Sequence, residues 1–277
     1  MEWPDGYTSC FCLRVDIDTV RDARSSSSIL SLLGETGIRA TFFVTTGPDD
    51  AARDLPRAIS GIGEKRYLMR YGFDGLRGLL LPSLDVEGQL MAWREIVGQG
   101  HEIALHGYWH RRWMRSASGW SRGETVRAVA EGMRRFSRAF PFRPKGFAAP
   151  GFRTNGSLPS ILGEMGFEYS SNTRIEGMFK PEGAGPKEAL EIPVSCRDMG
   201  ELMLDGSTER EASRIVGSLA EKASAEGGLF CYYVHPSFEI KYCEESFRSL
   251  LLRQAEGETW TPTLSEAADW LRKNGDA

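Results

Sequence analysis

No stretch of this chain reaches the roughly 18 consecutive apolar residues that a membrane-spanning helix needs, so no such helix is expected. The opening MEWPDGYTSC lacks a basic segment followed by an apolar run, and no secretory leader is expected from it. Cysteine is sparse and odd in number, at five, which does not make a disulfide framework; Cys10 and Cys12 also lack the spacing of a zinc knuckle. Reduced thiols and a cytoplasmic location are the expectation. Surplus basic charge is missing too: a formal net charge of −4 gives no general field for polyanions, and no nucleic-acid partner is expected. Histidine is scarce, with four in 277 positions, so the place of each one is informative.

Against these absences stand 41% hydrophobic and 26% charged residues, enough apolar material for the core of a single domain over residues 1–277. Strand-like segments at 10–18, 39–45, 102–106, 145–149, 167–171, 190–194 and 229–235 alternate with helix-like segments near 25–36, 87–98, 122–139, 155–165 and 207–226. This alternation predicts a mainly parallel α/β fold. About seven strands spread over this length favour a distorted (β/α) barrel, whose active residues gather at the C-terminal strand ends. The serines at 25–28 read as a helix start, because their oxygens accept bonds from the free N–H groups of a first turn. Residues 47–87 break the rhythm and predict an insertion over one end of the barrel, a candidate lid.

The segment LRVDIDT, residues 13–19, sets Asp16 and Asp18 two apart, on one face of a strand, while Val15 and Ile17 face the other way. Adjacent carboxylates repel and resist burial, so positive charge is expected beside them. Arg14 shares their face, with its Cα about 6.5 Å from that of Asp16 by strand rise.

GHEIALHGYWH places His106 and His110 four apart, which on one helical turn aims both rings to one side. His235 closes the strand-like LFCYYVH. Three of the four histidines thus fall at predicted C-terminal strand ends, together with Asp16 and Asp18. His101 starts its strand and is expected to be structural. His106, His110 and one aspartate make a donor set for a divalent ion that keeps an open position for water. The other carboxylate can then take a proton, and His235 can protonate a departing amine. The same two-histidine, one-carboxylate count also suits a non-haem iron oxygenase. That chemistry leaves the second aspartate and His235 without a necessary task.

With these residues in place, the chain resembles the polysaccharide deacetylase family, the NodB-homology hydrolases that remove N-acyl or O-acyl groups from sugars. VDIDT is similar to that family's first motif, which implies Asp16 as catalytic base and Asp18 as metal ligand. HGYWH resembles the second motif and implies His106 and His110 as the remaining ligands; YYVH resembles the last and implies His235 as catalytic acid. The resemblance also implies a distorted barrel of seven or so strands and one divalent ion, zinc first, with cobalt, nickel, iron and manganese as alternatives. LRVDIDTVRDAR, TGPDD, FDGLRGLLLP, SASGWSR and EIPV further resemble the branch that deformylates a lipid-linked 4-formamido-arabinose during lipid A modification. An amino-sugar substrate, free or phosphate- or lipid-linked, is implied, with peripheral contact at the inner face of the cytoplasmic membrane.

Two motifs depart from the family. An arginine two residues before a proline usually holds the catalytic aspartate, but GFAAPGFRTN has Ala148 before Pro150; Arg14 or Arg153 is the candidate replacement. The missing arginine also leaves a catalytically silent carbohydrate-binding relative as an alternative. The residue that orients His235 is expected in VSCRDMGE, where Asp198 and Glu201 both qualify. Around the site, Arg111 can meet a substrate phosphate and Trp109 can stack on a sugar, or each can serve the surface and core edge. In the insertion, EKRYLMRYGFDGLRGLLLP interleaves cations with apolar residues, which suits either a helix packed on the barrel or one lying on anionic lipid.

Overall fold

The computed structural model describes residues 2–50, 84–177 and 188–274, so the cationic segment of the expected lid lies outside the described residues. Among the described residues, eight strands form one sheet: β1 (Ser9–Ile17), β2 (Ala40–Val44), β3 (Glu102–Leu105), β4 (Gly146–Phe147), β5 (Tyr169–Ser170), β6 (Leu190–Glu191), β7 (Leu229–Val234) and β8 (Thr259–Trp260). The order is β6-β5-β4-β3-β2-β1-β7, all parallel, and the two-residue β8 joins the start of β1 as an addition to the seven expected. Ser195 N–H donates to Cys231 O at 2.8 Å and Cys231 N–H to Ser195 Oγ at 3.0 Å, which draws the two edges together into a distorted barrel. The helices that bear on the site are α1 (Val20–Thr36), α2 (Trp93–Gly98), α3 (His110–Ser116), α4 (Arg122–Ala139), α5 (Leu158–Glu164), α6 (Met199–Leu204), α7 (Glu209–Ala225) and α8 (Pro236–Tyr242).

β1 is buried along its whole length, yet its two faces have different neighbours. Phe11, Leu13, Val15 and Ile17 pack outward with Ile29, Leu33 and Phe247 of the surrounding helices. Cys10 and Cys12 face into the barrel with Phe43, Ala104, Ala148, Tyr169, Cys231 and Tyr233. Period-two alternation in a sheet covered on both faces therefore yields two apolar cores, and the inner one takes small or aromatic side chains from every long strand.

The first helix begins earlier than the serine run predicts. Thr19 caps it and Asp22 completes a capping box, so the start signal is T-x-x-D at 19–22, while Ser26 is already buried inside the helix. Pro48 and Asp85 pair as an antiparallel bridge, and Asp49 N–H donates to Leu84 O at 2.9 Å, so the chain leaves and rejoins the barrel at one point around the insertion.

Above the inner core lies a buried ion pair. Arg14, 1% exposed, gives Nε to Asp16 Oδ1 at 2.6 Å and Nη2 to Asp16 Oδ2 at 2.7 Å. Its Nη1 crosses the barrel to Ser171 O at 2.5 Å and Oγ at 3.2 Å. The rings of Phe43, Phe152 and Tyr233 surround the guanidinium with centroids 5.0, 5.1 and 5.9 Å away. Phe152 holds a φ of 57°, a left-handed conformation uncommon for a bulky residue. Burial opposes the cation, but the charge and hydrogen bonds of Asp16 outweigh it and keep Arg14 protonated.

His101 is structural, as expected: buried, with Nδ1 accepting from Ala40 N–H at 3.2 Å. Burial, and then the Arg39 charge, push its pKa down to about 4. The unfolded chain therefore takes up the proton first as pH falls from about 6.5 towards 4, and stability is lost across that window. Replacing His101 by Gln should shrink the fall in Tm between those pH values. Arg14→Met should strand a buried charge on Asp16 and cost about 3–5 kcal/mol, most of it recovered in the Arg14→Met/Asp16→Asn double variant; urea unfolding of both reads the difference.

Candidate metal centre

Sheet register explains why distant residues meet. Ile17 pairs with Val44 and Val44 with Leu105, so Asp18 and His106 each stand one residue beyond a common row. Val15 pairs with Val234, which puts His235 level with Asp16. All four emerge at the C-terminal mouth, where the parallel arrangement leaves strand ends free to carry chemistry.

Asp18 is the hub. Its Oδ1 lies 3.1 Å from His106 Nε2, and its Oδ2 lies 3.2 Å from His110 Nε2 and 3.4 Å from His235 Nε2. Asp16 stands behind, with Oδ2 3.9 Å from His106 Nε2. Burial alone raises the Asp18 pKa, but the facing imidazoles of His110 and His235 and hydrogen bonds from His106 and His110 outweigh it and hold the carboxyl well below its ordinary range.

His106 and His110 converge, but not on one helical turn. His106 follows β3, Gly107 turns the chain with φ 71°, and His110 opens α3. The left-handed φ favours glycine at 107, and a Cβ there would also press on Pro150 Cγ at 3.3 Å. Thr46 fixes the corner by donating N–H and Oγ1–H to Gly107 O, each at 3.1 Å. The first turn of α3 is held by Asp50, whose carboxylate accepts from Arg111 N–H at 3.0 Å and Arg112 N–H at 3.2 Å.

Tautomers follow from partners. Ala148 O, which only accepts, lies 2.9 Å from His106 Nδ1, so Nδ1 carries a proton and Nε2 is the nitrogen turned to Asp18. His235 Nδ1 contacts Asp198 Oδ2 at 2.8 Å, and its backbone N–H donates to Glu239 Oε2 at 2.8 Å. Asp198, 1% exposed, is thus the partner of His235; Glu201 instead pairs with Arg174 and Arg197.

Donor atoms of Asp18, His106 and His110 lie within 4.8 Å of one another, as do those of Asp16, Asp18 and His235. Because Arg14 holds both oxygens of Asp16, the first trio fits a cation better. Two imidazoles and a carboxylate match the needs of a divalent ion such as zinc. Of the two candidate arginines, Arg14 is the one that holds Asp16: Arg153 is exposed, offers its backbone O to Trp113 Nε1 at 2.8 Å, and has no carboxylate partner among the described residues. Trp109 precedes α3, half-buried against Tyr108, and Arg111 is engaged through its backbone. Asp22, Asp49, Asp50 and Glu239 are not site candidates from sequence, although a capping-box spacing marks Asp22 and the TGPDD segment holds Asp49 and Asp50.

The polysaccharide deacetylase family model matches residues 10–170. A protein from Shewanella sediminis that bears the name 4-deoxy-4-formamido-L-arabinose-phosphoundecaprenol deformylase ArnD is 28% identical over 256 residues, covering 88% of this chain and 81% of that one. A protein of the same name from Wigglesworthia glossinidia brevipalpis is 25% identical over 244 residues, covering 83% and 82%. Among solved structures, a Mycobacterium smegmatis protein described as a polysaccharide deacetylase superposes with a TM-score of 0.68 at 19% identity, over 99% of this chain and 93% of that one. A match across more than half of the chain, on the strand ends that carry Asp16, Asp18, His106 and His110, means that the chain belongs to the polysaccharide deacetylase family.

Proposed function

We propose that the chain is a metal-dependent hydrolase that removes a formyl or acetyl group from an amino sugar, in the assembly of a bacterial surface glycan or lipid-linked sugar. The observation that carries this reading is the division of labour around Asp18: a two-histidine, one-carboxylate donor set stands between a carboxylate held by arginine and a histidine held by a carboxylate. An oxygenase needs neither flanking pair.

His106, His110 and Asp18 would hold the ion. When bound, it supplies positive charge that lowers the pKa of water towards 7 and polarises an amide carbonyl. Asp16 is the proton acceptor for the attacking water. Arg14 keeps it ionised and aimed, and each carboxylate oxygen still has a lone pair to spare beyond its bond to the guanidinium. His235 delivers a proton from Nε2 to the departing amine, which is otherwise too basic to leave. Asp198 steadies the imidazolium by accepting from Nδ1.

A formamido sugar on a polyprenyl phosphate is the finer substrate reading, supported by the names of the two relatives. No helix among the described residues is long and apolar enough to cross a bilayer. A lipid-linked substrate is then met by peripheral contact with the inner face of the cytoplasmic membrane.

Asp16→Asn should lower turnover of formamido and acetamido sugars by at least about 100-fold while zinc remains bound, because a positioned base supplies roughly that factor. Asp18→Asn should weaken zinc itself, read by competition with a chromogenic chelator. Stripping the metal should abolish release of formate or acetate, and restoring zinc should recover it; no metal-restored release from any such sugar rejects the proposal.

A further inference from the structure

Asp22 is fully buried, lies four residues past Asp18, and takes part in none of the chemistry above. A capping box requires of it only the contact with Thr19: Oδ2 accepts from Thr19 N–H at 3.2 Å and Oγ1–H at 2.7 Å. Its other oxygen goes elsewhere. Oδ1 accepts from Ser237 N–H at 3.2 Å and Ser237 Oγ–H at 2.6 Å, across 215 positions of sequence.

Ser237 lies in the first turn of α8, just after His235 and Pro236. Proline has no N–H, and Glu239 takes the N–H of His235, so Ser237 carries the next free donor of that turn. One carboxylate therefore sits at the positive ends of two helices, α1 and α8, and accepts from Thr19 and Ser237 alike, which answers the cost of its burial. One oxygen serves the loop of Asp18 and the other the loop of His235.

Sheet hydrogen bonding cannot do this. Pairing of β1 with β7 ends at Val15 and Val234, so His235 has already left the ladder when it meets Asp18 Oδ2 at 3.4 Å. We infer that Asp22 is a positioning residue that holds the strand end bearing Asp18 and the loop bearing His235 in fixed relation, an inference that rests on the hydrolytic reading above. A misplacement of about 1 Å at reacting groups can cost on the order of 100-fold in rate, so the link acts on turnover more than on binding.

Ser237→Ala removes one donor to Asp22 and leaves the capping box intact; Ser237→Thr restores the hydroxyl; Asp22→Asn keeps the volume and removes the charge. Zinc-loaded proteins are compared for kcat and KM on N-formyl and N-acetyl amino sugars, zinc Kd by chelator competition, Tm, and histidine-ring signals in 15N-labelled samples. Ser237→Ala should lower kcat about tenfold or more, with KM and zinc Kd within about twofold, and Ser237→Thr should recover most of the loss. The ring signals of His235 should move while those of His106 stay. Lower Tm with unchanged kcat and unchanged His235 signals overturns the inference and leaves Asp22 a plain cap. If even the native protein releases neither formate nor acetate, the hydrolytic reading fails; the His235 signals then decide alone, a shift supporting the link and none overturning it. Should Asp22→Asn not fold, the two Ser237 variants carry the same comparison.

Discussion

An ionised carboxylate inside a barrel is tolerable only if cations or hydrogen-bond donors surround it, and this requirement, met at Asp16 and Asp18, organises the rest of the mouth. Arg14 answers Asp16 from the same strand and ties it across the barrel to Ser171. Three imidazoles answer Asp18, and each must reach it from its own position on the loops of the mouth. The loops in turn depend on further acids: Asp50 under α3, Asp198 behind His235, and Asp22 between α1 and α8. The site is less a set of ligands than a network in which Asp16, Asp22, Asp50 and Asp198 have defined donors and Asp18 faces three imidazoles.

The two aspartates of one strand face are separated into different environments. Asp16 is held through both oxygens by one guanidinium, so its orientation is fixed and its charge is shared. Asp18 faces the inner nitrogens of rings, and for His106 the outer nitrogen is already spoken for by Ala148 O, which is the arrangement an ion exploits. Arg14, from the same strand as Asp16, supplies the cation that keeps this division. Ala148 keeps a role through its backbone, since its carbonyl sets the tautomer of His106.

Much of this was legible in sequence because the relevant periods are short. Alternation along residues 13–17 puts Arg14 and Asp16 on one face, and the strand ends at 106 and 235 announce themselves as apolar runs that stop at histidine. The helix carrying His110 was not legible: Trp109 at its N-cap makes no side-chain capping bond, and the group that satisfies its first turn, Asp50, lies 61 positions before Arg111. Asp198 and Glu201 could not be separated either, since both are acids in one short segment and only the tertiary path to His235 distinguishes them. The short strands β4 to β6 are two residues each, too brief for periodicity to bound.

Gly151 and Phe152 take left-handed conformations in succession, with φ of 60° and 57°, and the second is a position where a bulky ring costs on the order of 1–2 kcal/mol. The ring stays because two guanidiniums lie near it, that of Arg14 at 5.1 Å and that of Arg174 at 4.8 Å from its centroid, and it meets Tyr233 edge to face. One wall of the mouth is therefore a cluster of cations and aromatic rings held by the very charge that orients Asp16. A reactant entering there meets a surface already set, and the energy of ordering that wall belongs to folding rather than to each round of catalysis.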